Sequence, residues 1–391
     1  MRRREGGGPT LARSALVTLS HSFLSLAIAA AGGAAETNAL KELVPPGLLI
    51  GVAVNQDQSD GQDAAAIAIA KQHFNSISPE NLLKWEAVHP EPDRYVLDPA
   101  DRFVAFGRQN GMAVIGHVLL WHQQTPAWVF AGAGGALPDR ETLLGRLRSH
   151  IETVVGRYRG RIHGWDVVNE AFEDDGTWRQ TPWLKAIGPD YVERAFELAH
   201  AADPEAELYY NDYNLWKPEK RKAAIALVRR LHAQGLRVDA IGEQAHWGVA
   251  DPPLAEIDAM LADFGAAGMT VLLTELDMDV LPRDPEMWGA DLSKKQQIRT
   301  ATNIYTDGLP AEKQADLAKR YADVFALVLR HRKTVSRVTL WGVTDAQSWL
   351  HDFPIPGRVN YPLLWDREGR AKPAFHAVVE VLRTRGEVAP R

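Results

Sequence analysis

The sequence predicts an α/β fold, a (β/α)8 TIM barrel forming a single catalytic domain. Three observations predict it. Short aliphatic runs alternate with longer amphipathic stretches from about Pro45 onward. There are eight such runs. Their C-terminal ends carry polar and aromatic residues, where barrel enzymes keep their chemistry.

The runs are Leu49–Asn55, His73–Ser78, Met112–His117, Ile162–Glu170, Glu207–Asn211, Val238–His246, Thr270–Asp277 and Arg337–Val343. Helical signals lie between them. Ala64–Gln72 is rich in Ala and Ile. Pro138-Asp139-Arg140-Glu141 opens a helix reaching about Tyr158, with Asp139 as its cap. Tyr191–Ala201 places Val192, Ala195, Phe196 and Ala199 at helical spacing. Pro218–Gly235 begins with Pro and ends with Gly, as helices favour. Lys313–Lys333 and Pro373–Thr384 are further helices. Two stretches break the alternation. Ala131–Ala136 is glycine-rich, and no strand feeds it, so it is not a phosphate cradle. Leu281–Pro310, with Trp288 and Tyr305, is a long polar excursion after the seventh run, expected on the active-site face.

The chain has 391 residues, is 46% hydrophobic and carries a formal charge of −6. That length suits one large barrel. Basic runs interleaved with aromatics are missing, so nucleic acid is not an expected partner. Cysteine is absent, which excludes disulfides, thiolate nucleophiles and cysteine-held zinc. Residues 1–35 differ from the rest. Arg2, Arg3, Arg4 and Arg13 precede a mostly apolar stretch, Ala15–Ala31, and then Gly32-Gly33-Ala34-Ala35. This reads as a secretory signal peptide, leaving residues 36–391 as the catalytic domain. The alternative, a membrane anchor, needs a longer run without His21. Arg2-Arg3 raises a twin-arginine route, but Glu5-Gly6-Gly7 continues it poorly. Cleavage removes four Arg and one Glu, moving the charge from −6 to −9.

Two runs carry a glutamate at or near their end. Glu170 closes Trp165-Asp166-Val167-Val168-Asn169-Glu170, and Glu275 sits in Thr274-Glu275-Leu276-Asp277. Two carboxylates delivered to one barrel face are the usual means of cleaving a glycosidic bond. The other ends supply Glu80, Asn81 and Lys84; His117, Trp121 and Gln124; Asn211, Tyr213 and Asn214; Gln244 and His246; Trp341 and Trp349. Hydrogen-bonders with flat aromatics suit sugars, whose hydroxyls and ring faces need both. Each residue alone has a structural explanation; their convergence is the signal. His117 and His122 stand five apart, on opposite sides of a strand, and HExxH is absent, so neither metal nor cofactor is expected.

In these motifs the chain resembles glycoside hydrolase family 10, the retaining endo-β-1,4-xylanases. The resemblance runs from about Leu43 to Leu382. It rests on Pro79–Trp85, Gly116–His122, Trp165–Glu170, Tyr210–Asn214, Gln244-Ala245-His246, Thr274–Asp277 and Trp341–Asp345. Leu83 stands where Met is frequent, and Glu243 precedes Gln244, as small departures. The resemblance implies Glu170 as acid/base and Glu275 as nucleophile, with carboxyl groups about 5–5.5 Å apart. Two nearby carboxylates are expected to drive one pKa up. Asn169 would bind the sugar 2-hydroxyl. Glu80, Asn81, Lys84, His117, Trp121 and Gln124 would serve the glycone side. Trp341 and Trp349 would cover the cleavage point, and Tyr213 and Asn214 the leaving-group side. Gln244 and His246, two apart, would share one strand face. His246 would bond Glu275 and be oriented by Asp277, as His117 would lean on Asp166. The implied substrate is xylan or xylo-oligosaccharide, and the implied form is a secreted monomer (periplasmic or extracellular) without stable membrane association after cleavage.

Other readings are a retaining endo-glucanase or mannanase, a non-catalytic sugar-binding barrel, or a structural protein with a degenerate site. Lys84 and Trp349 favour xylan, since that side of the cleft crowds out a hydroxymethyl group in the family.

Overall fold

The computed structural model describes residues 39–282, 290–294 and 300–386. The leader at 1–35 and Trp288 therefore lie outside the described residues.

Among the described residues nine strands form the sheet: β1 Leu49–Val54, β2 Ser76–Pro79, β3 Ala113–Leu120, β4 Gly164–Asn169, β5 Glu207–Asp212, β6 Ala240–Glu243, β7 His246–Gly248, β8 Thr270–Asp279 and β9 Val335–Leu340. All pair in parallel, in the order β6-β5-β4-β3-β2-β1-β9-β8-β7. A further β6–β8 pairing closes eight of them into a barrel. The three-residue β7 pairs only with the far end of β8, His246 opposite Asp277. Each of the eight predicted runs overlaps one barrel strand, and β2, β3, β5, β8 and β9 extend past theirs.

Helices Ala64–His73, Arg140–Arg157, Tyr191–Ala202, Pro218–Ala233, Ala311–Arg330 and Pro373–Gly386 match the six expected. Asp139 caps its helix by accepting from the Thr142 N–H at 2.8 Å. Asp98–Gln109 and Leu254–Ala266 complete the layer. Neither carries a side-chain cap, so neither announces its start. Ala133–Gly135 is a single turn with Gly134 at φ 63°.

The strands are buried on both faces, as a barrel sheathed in helices requires. One apolar layer lies between strands and helices, with Leu143, Leu147, Ile151 and Val154 contributed by a single helix. Ile115, Tyr209, Ala240 and Leu272 form a second, separate cluster. The buried Arg337 guanidinium lies 5.0 Å from the Tyr209 ring. Gly116 is required in β3, because a Cβ there would stand 2.0 Å from the Trp165 ring. Gly242 is required in β6, where a Cβ would stand 2.2 Å from Asn211 Oδ1.

Candidate active site

The C-terminal mouth of the barrel holds an open cleft of about 660 Å3. It is lined by Glu80, Asn81, Lys84, His117, Trp121, Gln124, Asn169, Glu170, Gln244, His246, Glu275, Trp341 and Trp349. Ala290 and Leu292, from the excursion after β8, line it as well. Asn214 instead lines an adjoining cleft that also touches His246. Tyr213 lines neither. It is buried, and its hydroxyl accepts from Arg179 Nη2 at 2.6 Å.

The strand ends are bent to aim these groups. Among the described residues, the non-glycine positions with positive φ are Gln124, Glu170, Asn214 and Ala245. Each borders one of these two clefts or follows a residue that does. Left-handed backbone costs an ordinary residue about 1–3 kcal/mol and persists where its surroundings hold it, most often at functional sites.

Glu170 follows the last residue of β4, and Asn211 O accepts from its N–H at 2.9 Å. Its Oε1 accepts from Asn169 Nδ2 at 3.1 Å and Gln244 Nε2 at 3.0 Å. Its buried Oε2 has no hydrogen-bond partner among the described residues. Burial pushes its carboxyl up to about 7. Arg179 pulls against that rise and Asp212 adds to it, while contacts from Gln244 and Trp121 pull it down. Burial, then, drives the shift that a neighbouring carboxylate was expected to cause.

Glu275 lies within β8, which runs on to Asp279 because β7 pairs with its extension. Its Oε1 accepts from Asn211 Nδ2 at 2.9 Å. His246 Nε2 lies 3.2 Å from Oε2, and His246 Nδ1 lies 3.1 Å from Asp277 Oδ2. Burial alone would raise Glu275. The His246 hydrogen bond and the His117, His246 and Lys84 charges outweigh it, holding the carboxyl below its ordinary value. His246 opposes burial in the same way. Its two carboxylate neighbours raise it to about 9, so it is an imidazolium at neutral pH. Asp277 is fixed in turn by the Trp349 indole N–H at 2.6 Å, and Trp349 stacks on Phe353 at 4.6 Å.

Both expected imidazole–carboxylate pairs are in reach, since His117 Nδ1 lies 2.9 Å from Asp166 Oδ2. Gln244 and His246 meet the cleft differently from expectation. β6 stops at Glu243, and left-handed Ala245 (φ 63°) turns the chain before β7 begins. The turn, not strand alternation, brings both side chains inward. On the other side, Lys84 Nζ donates to Asn81 Oδ1 at 2.9 Å and Gln124 Oε1 at 2.6 Å, over the Trp121 ring. Burial lowers the Lys84 pKa, opposed by the Glu275, Glu80 and Glu170 charges.

Sequence reading found Asn211 at a strand end but gave it no role. It links the two carboxylates, donating to Glu275 Oε1 and to Asn169 Oδ1 at 3.0 Å, while Asn169 donates to Glu170. Its place in the Tyr210–Asn214 motif was the available signal. Arg179 carried none, while Ala290 and Leu292 lie in the Leu281–Pro310 excursion expected on this face. Among the described residues, no group of His, Asp and Glu is arranged to hold a metal ion.

A parallel barrel with two buried, oppositely biased carboxylates and a cleft of hydrogen-bonders and indoles defines the class, a barrel glycoside hydrolase. The chain belongs to glycosyl hydrolase family 10, which residues 39–381 match. It is 42% identical over 342 residues to endo-1,4-beta-xylanase A of Xylanibacter ruminicola, covering 88% of this chain and 93% of that one. It is 39% identical over 344 residues to the endo-1,4-beta-xylanase of Geobacillus stearothermophilus, covering 88% and 98%. A solved family 10 endoxylanase from a sugarcane soil metagenome superposes with a TM-score of 0.84 at 40% identity, covering 88% and 99%.

Proposed function

We propose that the chain hydrolyses internal β-1,4-xylosidic bonds of xylan with retention of anomeric configuration. One observation carries this. Two buried glutamates, one just past β4 and one within β8, are biased in opposite directions: burial raises Glu170, while His246, His117 and Lys84 outweigh burial at Glu275.

Glu170 is the acid/base. Its raised pKa keeps a proton available for the glycosidic oxygen as the bond breaks. Glu275 is the nucleophile. Held ionised, it attacks the anomeric carbon and forms a covalent glycosyl ester while the leaving sugar takes the Glu170 proton. Glu170, now a carboxylate, then removes a proton from water, which displaces Glu275 and restores both groups. This double displacement needs the carboxyl groups about 5–5.5 Å apart. Asn169 meets the sugar 2-hydroxyl. The Lys84, Asn81 and Gln124 cluster binds glycone hydroxyls. Trp341 and Trp349 flank the cleavage point, and Asn214 serves the leaving-group side.

The xylanase names of the relatives support xylan as the substrate. Rates on xylan, cellulose and mannan test it, and a preference for either of the latter two would overturn it. Residues 1–35 are proposed to direct export of a monomeric enzyme to the periplasm or medium. Their basic, then apolar, then small-residue order supports this. N-terminal sequencing of exported protein should begin near Glu36.

A further inference from the structure

Glu243 directly precedes Gln244, and none of the proposed chemistry uses it. It ends β6 and is fully buried. Its Oε2 accepts from the Leu215 N–H at 2.7 Å. Its Oε1 accepts from the Ala245 N–H at 3.2 Å and the Trp247 indole N–H at 3.3 Å. One carboxylate thus joins the segment after β5 to the turn between β6 and β7. Burial pushes its carboxyl up to about 7, opposed by the Leu215 and Ala245 N–H donors and by the charge of buried Lys220.

That turn has an unusual task. Gln244 Nε2 donates to Glu170 Oε1 at 3.0 Å, and His246 Nε2 stands 3.2 Å from Glu275 Oε2. Three consecutive residues therefore carry a partner of each catalytic carboxylate. The middle one, Ala245, sits at φ 63° without a side chain able to stabilise that conformation. The Glu243 contact to its N–H, and the Trp247 N–H donated to its carbonyl at 2.9 Å, hold it there. An apolar residue at 243 would fill the space but leave three donors without an acceptor.

We infer that Glu243 is a positioning residue for the reaction. Its carboxylate fixes the Gln244-Ala245-His246 turn and so sets Glu170 and Glu275 in register. The inference rests on the roles proposed above for those two glutamates.

Glu243→Gln, with one oxygen replaced by a donor facing donors, is the test, measured on xylotetraose. Loosening a catalytic partner by a fraction of an ångström lowers kcat by about 10–100-fold. KM should change by less than about threefold, because the sugar-binding groups across the cleft are untouched. The loss should also shrink when Gln244→Ala is already present, since both changes then act on one contact. A folded Glu243→Gln enzyme with wild-type kcat overturns the inference. So does a loss that multiplies fully with that of Gln244→Ala. If Glu243→Gln does not fold, Trp247→Phe removes a single donor to Glu243 and keeps the ring. A fall in kcat at constant KM then supports the inference, and an unchanged kcat overturns it. Wild-type protein without activity on xylotetraose would sink the functional reading instead, so the two failures are distinct.

Discussion

Glu170 and Glu275 share a residue type, a barrel face and almost the same burial, 1% and 4% exposed. Their surroundings differ. Glu275 has an imidazolium against one oxygen, an amide on the other, and the Lys84 charge nearby. Glu170 has two amides on one oxygen and no partner among the described residues on the other. Burial disfavours the charged form of both, and only Glu275 has enough close positive charge to reverse it. The proposed division of labour between acid and nucleophile thus rests on the positive groups gathered around Glu275, His246 foremost.

The largest break in that comparison is removal of the proposed nucleophile. Glu275→Ala should lower kcat by at least about 10^4-fold on every substrate, since no glycosyl ester can form. Glu170→Ala should be selective. Hydrolysis of xylan should fall by about 10^2–10^4-fold, while the first step on an aryl xyloside with a good leaving group should be nearly spared. Equal losses on both substrates would reverse the assignment.

Next come the neighbours. His246→Ala removes the cation that holds Glu275 ionised. The acid limb of the kcat/KM profile should rise by about one to three pH units. The alkaline limb belongs to Glu170. Its proton is needed in the first step, so activity should be lost as pH rises through about 7. Activity should persist on the acid side until Glu275 protonates, below the ordinary carboxylate range. Smallest in effect is Asn211→Ala, which removes one donor to Glu275. A hydrogen bond to a charged group is worth about 1.5–3 kcal/mol, so kcat should fall by roughly 10–100-fold.

Much of this was legible in the sequence. The eight aliphatic runs are strands because a parallel barrel buries both strand faces and demands continuous apolar stretches. The cleft residues sit at the ends of those runs, where chain order alone finds them. Three features were not legible. The Glu243–His246 turn reads as continuing strand, because Ala245 gives no hint of a left-handed backbone. Asn211 looks like one polar residue among four, and only its contact to Glu275 across 64 positions singles it out. Tyr213 reads as a sugar platform in its motif, yet Arg179 claims its hydroxyl from the segment after β4. The last two depend on contacts between distant segments, and the turn on hydrogen bonds among Glu243, Ala245 and Trp247 that hydrophobic spacing does not encode.

The central claim, one carboxyl held protonated and its partner ionised, is tested most directly by 13C NMR titration of the glutamate carboxyls. Glu170→Gln and Glu275→Gln would assign the two signals by loss. The account predicts that the signal missing from Glu170→Gln titrates near 7, and that the one missing from Glu275→Gln titrates below ordinary glutamates. Two signals titrating together in the ordinary range, or the reverse order, would contradict it.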